Sequence, residues 1–342
     1  MEKEVDKSFA LVRPPGHHAH RVVYGDRGFC IINIEAVALE RIRQEYGNLR
    51  VAIVDTDCHH GDGTEDIYWN DKDTLFLSFH QDGRTLYPGT GHMDDFGGPS
   101  AYGYNINIPL PPQTGEEGFL YVLDNVILPI LDDYKPDIII NSAGQDNHYS
   151  DPLTSMNFTA QGYAILNDRL NPDIAVLEGG YSIEGALPYM NLGIILAMAG
   201  LDYSHVKEPD YNREKLRQSN DITEYIKQLS DVIYRRWQKK DDMQREKFKG
   251  LEYVTRSRQI YYDTDGIMEN QNEKFKICNK CSGLNTIVSK SDIRYRILAI
   301  IIPRDGCANC IDEGYALYKN SKSGGFYKVY LQDRVQDVFR SY

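Results

Sequence analysis

Four short apolar runs mark the first half of the chain, and each run ends in polar residues. They cover residues 51–54, 74–79, 138–140 and 174–177. Apolar runs of this length are typical of buried parallel strands. Between them, residues 33–46, 116–131, 159–170 and 187–201 have helical spacing. The alternation of strands and helices predicts an α/β fold of three layers around a mainly parallel sheet.

The second half of the chain has a different pattern. We expect a main domain at residues 1–205, followed at 206–273 by a helical closing segment and linker, because residues 221–249 combine helical character with many charges. Residues 274–342 contain alternating segments such as 325–332. This last part is predicted to form a small β-rich module resembling a zinc ribbon.

Four of the six cysteines lie in this module as two Cys-x-x-Cys pairs, Cys278 with Cys281 and Cys307 with Cys310. Thiolates in this arrangement favour a tetrahedral structural zinc, with a hairpin formed by the 25 residues between the pairs. The alternative is two redox-inert or disulfide-forming pairs. We expect the module either to bind a protein partner or to cap the main domain.

Composition narrows the class of protein. Of the 342 residues, 41% are hydrophobic and 26% charged, which is typical of a soluble globular protein. The net charge of −12 argues against direct nucleic-acid binding and suits a cationic substrate. The longest apolar runs are too short to cross a bilayer, so no membrane association is expected. With a charged N-terminus and cysteines that suit a reducing compartment, we expect a cytoplasmic protein.

Histidines cluster in the first part of the sequence, since eight of the nine precede residue 149. The segment RPPGHHA presents His17 and His18 on a loop fixed by proline and glycine. The segment DTDCHHGDG follows the first predicted strand. Alternation along an extended chain places Asp55, Asp57 and His59 on one side, so a carboxylate and an imidazole can converge on one zinc ion.

A catalytic zinc needs a third protein ligand and an open position for water. Asp146, which follows the third strand in SAGQD, is the candidate. The fourth strand ends in LEGGY, where two glycines allow a tight turn that aims Tyr181 into the cleft. Taken singly these features are weak, because an Asp-x-His at a strand end is as often structural and Gly-Gly-Tyr is an ordinary turn.

Together these residues belong to five ordered motifs between about residues 9 and 200: RPPGHHA, DTDCHHGDGT, LSFHQDGRTLYPGTG, SAGQDNHYSDPL and LEGGY. In them the sequence resembles the histone deacetylase and acetylpolyamine amidohydrolase family, in its class II-like form. The resemblance implies an arginase/deacetylase-like fold for residues 1–205. It also implies hydrolysis of the amide of acetyl-lysine, or of a related acylated amine, by a metal-activated water.

The resemblance also implies the role of each site residue. Asp57, His59 and Asp146 would bind the catalytic zinc. His17 and His18 would be oriented by Asp55 and Asp62 respectively, with His18 as the main proton carrier, and Tyr181 would donate its hydroxyl to the substrate carbonyl. The family's potassium-like cation would involve Asp55, Asp57, His59, Ser78 and Phe79. The substrate tunnel would be lined by Phe29, Tyr87, Gly28, Gly179 and Gly180, although Phe29 and Tyr87 also suit a role as core aromatics.

The motifs leave two alternatives open. One is an acetylpolyamine amidohydrolase, because the motifs do not separate acylated polyamines from acylated lysine. The other is an inactive metal-binding protein that recruits a partner. Relatives ordinarily carry a substantial segment before RPPGHHA, and this sequence begins almost at that motif. We therefore expect that the sequence is truncated, that another chain supplies the missing layer, or that the domain is damaged and its activity reduced. The apolar surface left uncovered should favour association or poor solubility.

Overall fold

Two six-stranded sheets organise the chain in a computed structural model that describes residues 4–209, 211–212, 214–293 and 296–342. The strands of the first sheet are Ser8–Ala10 (β1), Val51–Asp55 (β2), Thr74–Gln81 (β3), Asn105–Leu110 (β4), Ile138–Ala143 (β5) and Ile174–Leu177 (β6). They lie in the order β1-β6-β5-β2-β3-β4, and every pairing is parallel. The four predicted strands and the predicted parallel sheet are confirmed.

Helices cover both faces of this sheet. They are Ile34–Tyr46 (α1), Asp62–Tyr68 (α2), Glu116–Val122 (α3), Leu128–Tyr134 (α4), Ala160–Leu170 (α5), Leu187–Met198 (α6), Asn220–Gln238 (α7) and Lys240–Lys247 (α8). A π-helical turn at Leu123–Ile127 joins α3 to α4. Within the described ranges, no helix is both long and apolar enough to span a membrane.

Alternate residues of β2 enter different cores, which demonstrates the three layers. Ala52 and Val54 belong to the larger hydrophobic cluster, whereas Val51 and Ile53 belong to a second cluster that includes α1 residues such as Leu39. Successive strand residues point to opposite faces, so a strand buried on both sides is apolar throughout. The continuous apolar runs in the sequence therefore come from central strands.

Strand β4 was not predicted, because its sequence mixes asparagine with apolar residues. Asn105 and Asn107 are buried, and each Nδ2 donates to Glu65 Oε2 at 2.8 Å. The partner that makes this burial possible lies on α2, about 40 residues earlier in the chain. The pattern of β4 alone could not indicate a buried strand.

The second sheet is mixed and carries the cysteines. Its strands are Tyr253–Tyr262 (β7), Ile267–Lys276 (β8), Asn285–Ser291 (β9), Arg296–Ile302 (β10), Lys328–Asp333 (β11) and Val338–Ser341 (β12), in the order β12-β11-β10-β9-β8-β7. Only the β10 and β11 pair is parallel among the strands described. Helix Ala308–Asn320 (α9) contacts β10 and β11. The predicted β-rich module is present, with β9 and β10 forming a hairpin between the cysteine pairs.

This sheet begins earlier than the cysteine module was expected to begin. Strand β7 and most of β8 lie in residues 206–273, which were interpreted as helices and linker, and the expected boundary at 274 divides β8. The reason is the inward face of β8, which buries the polar residues Glu269, Gln271 and Glu273 between Ile267 and Phe275. Hydrophobic alternation is therefore missing from this strand.

Buried ion pairs fasten the second sheet to α2. Asp66 of α2 and Glu273 of β8 are 0% and 1% exposed. Arg21 Nη2 lies 3.2 Å from Asp66 Oδ1 and 3.1 Å from Glu273 Oε1. From β7, Arg258 pairs with Asp66, and Arg256 Nε lies 2.6 Å from Glu273 Oε2. Burial opposes ionisation of Asp66, but Arg258 and Arg21 outweigh it and hold its pKa well below the usual range.

Candidate active site

The predicted site residues meet at the carboxyl edge of the first sheet. Asp57 and His59 follow β2, Asp146 follows β5, and Tyr181 follows β6. Strands β6, β5 and β2 are neighbours in the sheet, so their carboxyl ends adjoin. Ligands of open α/β sheets bind at this edge. The topology therefore brings together residues separated by more than 120 positions in the sequence.

Asp57, His59 and Asp146 form a buried cluster with metal-binding geometry. One ligand atom from each residue lies within 4.8 Å of the others. His59 Nδ1 is 2.8 Å from Asp146 Oδ2 and 3.3 Å from Asp57 Oδ1. The remaining carboxylate oxygens accept backbone N–H groups, from Cys58 to Asp146 at 2.8 Å and from Gly179 to Asp57 at 2.6 Å. These bonds fix the carboxylates.

The charge of this cluster suits a divalent cation. Burial, followed by the charge of Asp57, raises the pKa of Asp146 to about 7. Burial opposes the charged form of His59, but Asp146 and Asp57 outweigh it and raise its pKa to about 10. Two buried carboxylates need a compensating positive charge. One imidazole nitrogen and two carboxylates are a donor set that zinc accepts.

Gly179 lies against the metal-binding carboxylates. A Cβ at this position would collide with carboxylate oxygens of Asp146 and Asp57, so only glycine allows this approach. Gly180 has φ +133°, and its carbonyl accepts a hydrogen bond from Arg13 Nη2 at 2.7 Å. Both glycines were expected in the tunnel. The contacts of Gly179 show that it shapes the floor of the site, and a position of both glycines along a tunnel stays a prediction.

His17 and His18 have different electrostatic surroundings. His17 Nδ1 is 3.1 Å from Asp55 Oδ2, and His18 Nδ1 is 2.7 Å from Asp62 Oδ1, as the resemblance implied. Burial, reinforced by the neighbouring His17, lowers the pKa of His18 to about 3. Burial also opposes the charge on His17, but Asp57 and Asp55 outweigh it and raise its pKa well above the usual value. The pair therefore combines a neutral with a cationic imidazole.

Two further residues support Asp62, and the sequence analysis did not identify them. Arg27 donates to Asp62 Oδ2 from Nε at 3.1 Å and from Nη2 at 2.6 Å. His20 Nε2 lies 3.4 Å from the same oxygen, and its Nδ1 lies 3.4 Å from Asp66 Oδ2. His20 is only two residues from His18 in the sequence, and this closeness could have indicated that it belongs to the site. His20 thus connects the His18 partner to the buried ion pairs.

Aromatic residues flank the site. The Tyr181 ring lies 5.6 Å from the Phe29 ring, and burial raises the pKa of Tyr181, which keeps its hydroxyl protonated. The Tyr87 ring contacts His18 edge-on at 5.3 Å. Gly28, with φ +52°, fits between His18 and Tyr87, where a Cβ would collide with the histidine ring. Phe29 is 57% exposed, so it is not a core aromatic and suits the entrance of a tunnel.

Some of the residues predicted to bind a monovalent cation lie next to one another. Asp55 pairs with Ser78 in the register of β2 and β3, and the Asp57 N–H donates to Asp55 Oδ1 at 3.1 Å. The Phe79 ring packs on Phe119 at 5.5 Å, which leaves its backbone carbonyl as the group able to bind an ion. A cation at this position stays a prediction.

The four module cysteines converge at one point. One Sγ from each of Cys278, Cys281, Cys307 and Cys310 lies within 4.8 Å of the others, and all four are free thiols. Backbone N–H groups of Lys280 and Gly283 approach Cys278 and Cys281 at 3.5 and 3.4 Å. The pKa of Cys307 is lowered to about 7, chiefly by a hydrogen bond from the backbone of Cys310. Four convergent thiols suit a tetrahedral zinc.

A parallel α/β fold with paired histidines beside an Asp-His-Asp cluster defines a hydrolase of the histone deacetylase type. Residues 1–191 match the histone deacetylase domain. This chain belongs to the histone deacetylase family.

Named relatives share this region. A probable deacetylase of Archaeoglobus fulgidus is 49% identical over 219 residues, which are 61% of this chain and 60% of that protein. The crystal structure of the HDA15 HD domain has a TM-score of 0.59 at 30% identity, over 72% of this chain and 66% of that one. The acetylpolyamine aminohydrolase from Burkholderia pseudomallei has a TM-score of 0.54 at 34% identity, over 58% of each chain.

Proposed function

We propose that this chain is a zinc-dependent deacetylase that hydrolyses the amide of acetyl-lysine or of a related acylated amine. The observation that carries the proposal is the position of His18. This neutral imidazole, paired with Asp62, has its ring 6.2 Å from the ring of His59 in the Asp-His-Asp cluster. A base beside a metal-binding cluster is the arrangement that metal-assisted amide hydrolysis requires. The names of the relatives support the same reaction class.

Asp57, His59 and Asp146 would hold the zinc ion, which when bound polarises the acyl carbonyl and acidifies a water molecule. His18 takes the proton from the attacking water, because its lowered pKa leaves it unprotonated at neutral pH. The Asp62 carboxylate accepts a hydrogen bond from Nδ1–H of His18, which leaves Nε2 as the unprotonated nitrogen that faces the site. The same nitrogen then delivers the proton to the leaving amine.

His17 and Tyr181 stabilise negative charge that develops on the carbonyl oxygen. The raised pKa of His17 keeps this imidazole cationic while the proton moves through His18. The raised pKa of Tyr181 keeps its hydroxyl a hydrogen-bond donor rather than a phenolate. A donor that is already oriented contributes mainly in the transition state.

Replacing Tyr181 with phenylalanine tests this mechanism. We expect kcat to fall about a hundredfold with little change in KM, because the hydroxyl acts on the transition state. The measurement is hydrolysis of a fluorogenic acetyl-lysine peptide, with zinc content determined on the same sample. Tyr46→Phe at the exposed end of α1 is the matched control. Unchanged turnover in Tyr181→Phe would contradict the assignment, and no zinc in the unmodified chain would contradict the proposed function itself.

We also propose that the module cysteines bind a structural zinc. Cys307→Ser should lower the zinc content by about one ion per chain, because a site built from four thiolates loses a quarter of its ligands. Asp57→Asn should remove the other ion, and in the double variant the two losses should add. Elemental analysis of the purified variants measures this. Equal zinc in Cys307→Ser and the unmodified chain would show that the thiols hold no metal.

A further inference from the structure

The tip of the β7–β8 hairpin reaches the entrance of the candidate active site. Asp263 Oδ1 accepts a hydrogen bond from the Gly28 N–H at 3.0 Å and another from the Tyr87 hydroxyl at 3.0 Å. At the same tip, Asp265 Oδ2 accepts the Asp26 N–H at 2.9 Å. A segment of the cysteine-bearing sheet thus binds the loop and the aromatic residue that flank the histidine pair.

Asp263 lies directly outside the reacting groups. Gly28, one of its two partners, contacts the His18 ring so closely that a Cβ there would collide with it. Tyr87, the other partner, has its ring 5.3 Å from His18 and 6.3 Å from His59, and its hydroxyl binds Asp263. Both hydrogen-bond partners of Asp263 therefore lie against the ring of His18, the candidate general base.

The charge around this entrance is negative. Asp263 and Asp265 are both exposed at the hairpin tip, and Asp26 follows on the adjoining loop. Arg27 neutralises them only in part, because it is 6% exposed and its guanidinium is bound twice by Asp62, whose charge raises the pKa of Arg27 more than that of Asp263 does. Arg13 lies over the Tyr181 ring and donates to the Gly180 carbonyl. Both of these arginines therefore have partners other than the tip carboxylates.

We propose that Asp263 is a specificity residue that binds an ammonium group of the substrate just outside the tunnel. The inference rests on the proposed deacetylase function and makes it more specific. Acylated amines that carry a free ammonium group, such as mono-acetylated diamines, are favoured over neutral amides of equal length. An exposed carboxylate and an ammonium group attract each other weakly, which corresponds to about a fivefold preference.

Asp263→Asn isolates the charge. Asparagine keeps an oxygen that accepts from Gly28 and Tyr87, so the hairpin contact survives while the negative charge is lost. We compare kcat/KM for acetylputrescine and for N-pentylacetamide, which lacks the second amine. The ratio of kcat/KM for acetylputrescine to kcat/KM for N-pentylacetamide should fall about fivefold in the variant, mainly because KM for the cationic substrate rises. In the unmodified enzyme the ratio should also fall as salt is added.

A binding measurement makes the test independent of turnover. Two alkyl hydroxamates of equal length, one ending in trimethylammonium and one in tert-butyl, are titrated into the zinc-loaded chain by calorimetry. In Asp263→Asn the preference for the trimethylammonium ligand, measured as the ratio of the two Kd values, should fall about fivefold. It should not change in Asp242→Asn, which removes an exposed carboxylate of α8.

The outcomes separate the two proposals. If both amides are hydrolysed and both ratios are the same in Asp263→Asn as in the unmodified chain, the specificity role is wrong and the deacetylase function stands. If neither amide nor the acetyl-lysine peptide is hydrolysed but the hydroxamate ratio shifts, Asp263 selects cations and the proposed reaction is wrong. A hydroxamate ratio that is unchanged overturns the specificity role in either case.

Discussion

Replacing His18 with alanine is expected to lower kcat about a thousandfold while the chain keeps its zinc. The loss is large because the neighbouring imidazole cannot take over. His17 is the nearest imidazole, with ring centroids 4.1 Å apart, but its raised pKa keeps it protonated and unable to accept the proton from water. Assays with the acetyl-lysine peptide measure kcat, and elemental analysis of the same sample measures the bound zinc.

His92 offers the matched control for this experiment. Its side chain is 66% exposed and lies 3.4 Å from Asp94, away from the histidine pair. His92→Ala should leave kcat unchanged. A His18→Ala enzyme that retains more than about a tenth of the activity would remove His18 from the role of general base.

Replacing Asp66 with alanine is expected to lower the free energy of unfolding by about 3–5 kcal/mol. Asp66 is fully buried between Arg21 and the β7 arginines, so its loss leaves cations buried without their partner. Urea denaturation followed by circular dichroism measures the change. Asp242→Ala removes an exposed carboxylate with a single ion pair on α8 and should cost less than about 1 kcal/mol.

The cost of Asp66→Ala should also depend on pH. The folded pKa of Asp66 lies well below the unfolded value of about 3.9, so the stability it contributes is fully present above that value. It is lost as the pH falls through the folded pKa. The difference between the two proteins should grow as the pH falls through the pKa of His20, which Asp66 helps to raise, and should shrink below about pH 4. A difference that does not shrink in acid would show that the lost packing, rather than the charge, accounts for the cost.

The sequence predicted those strands whose residues are apolar on both faces. Strand β2 is an example, because Val51 and Ala52 enter separate cores and each has to be hydrophobic. Strands β4 and β8 were not predicted, because Asn107 and Glu273 are buried against polar partners from other parts of the chain. Hydrophobic patterning reports the burial of apolar side chains only, so a strand with polar groups satisfied inside resembles a surface segment.

In the candidate site, too, some residues could be predicted from the sequence and others could not. Asp57 and His59 could be identified because two residues along an extended chain point to the same side. The two glycines after β6 indicated Tyr181, and the resemblance supplied its role and the role of Asp62. Asp263 had no signal of either kind, since its contact with Gly28 joins residues 235 positions apart and lies outside the region shared with the family.

The ion pairs between α2 and the second sheet set a lower limit on the length of chain that keeps the candidate active site intact. A chain cut back to the family-matched residues 1–191 would lack β7 and β8, and with them both β7 arginines that neutralise Asp66. Helix α2 begins at Asp62, the residue that orients His18, so a carboxylate left without these partners one turn further on would disturb the base as well. Fragments cut by homology alone should therefore be less stable than the full chain, and mutational libraries should treat residues 253–276 as part of the candidate active-site domain.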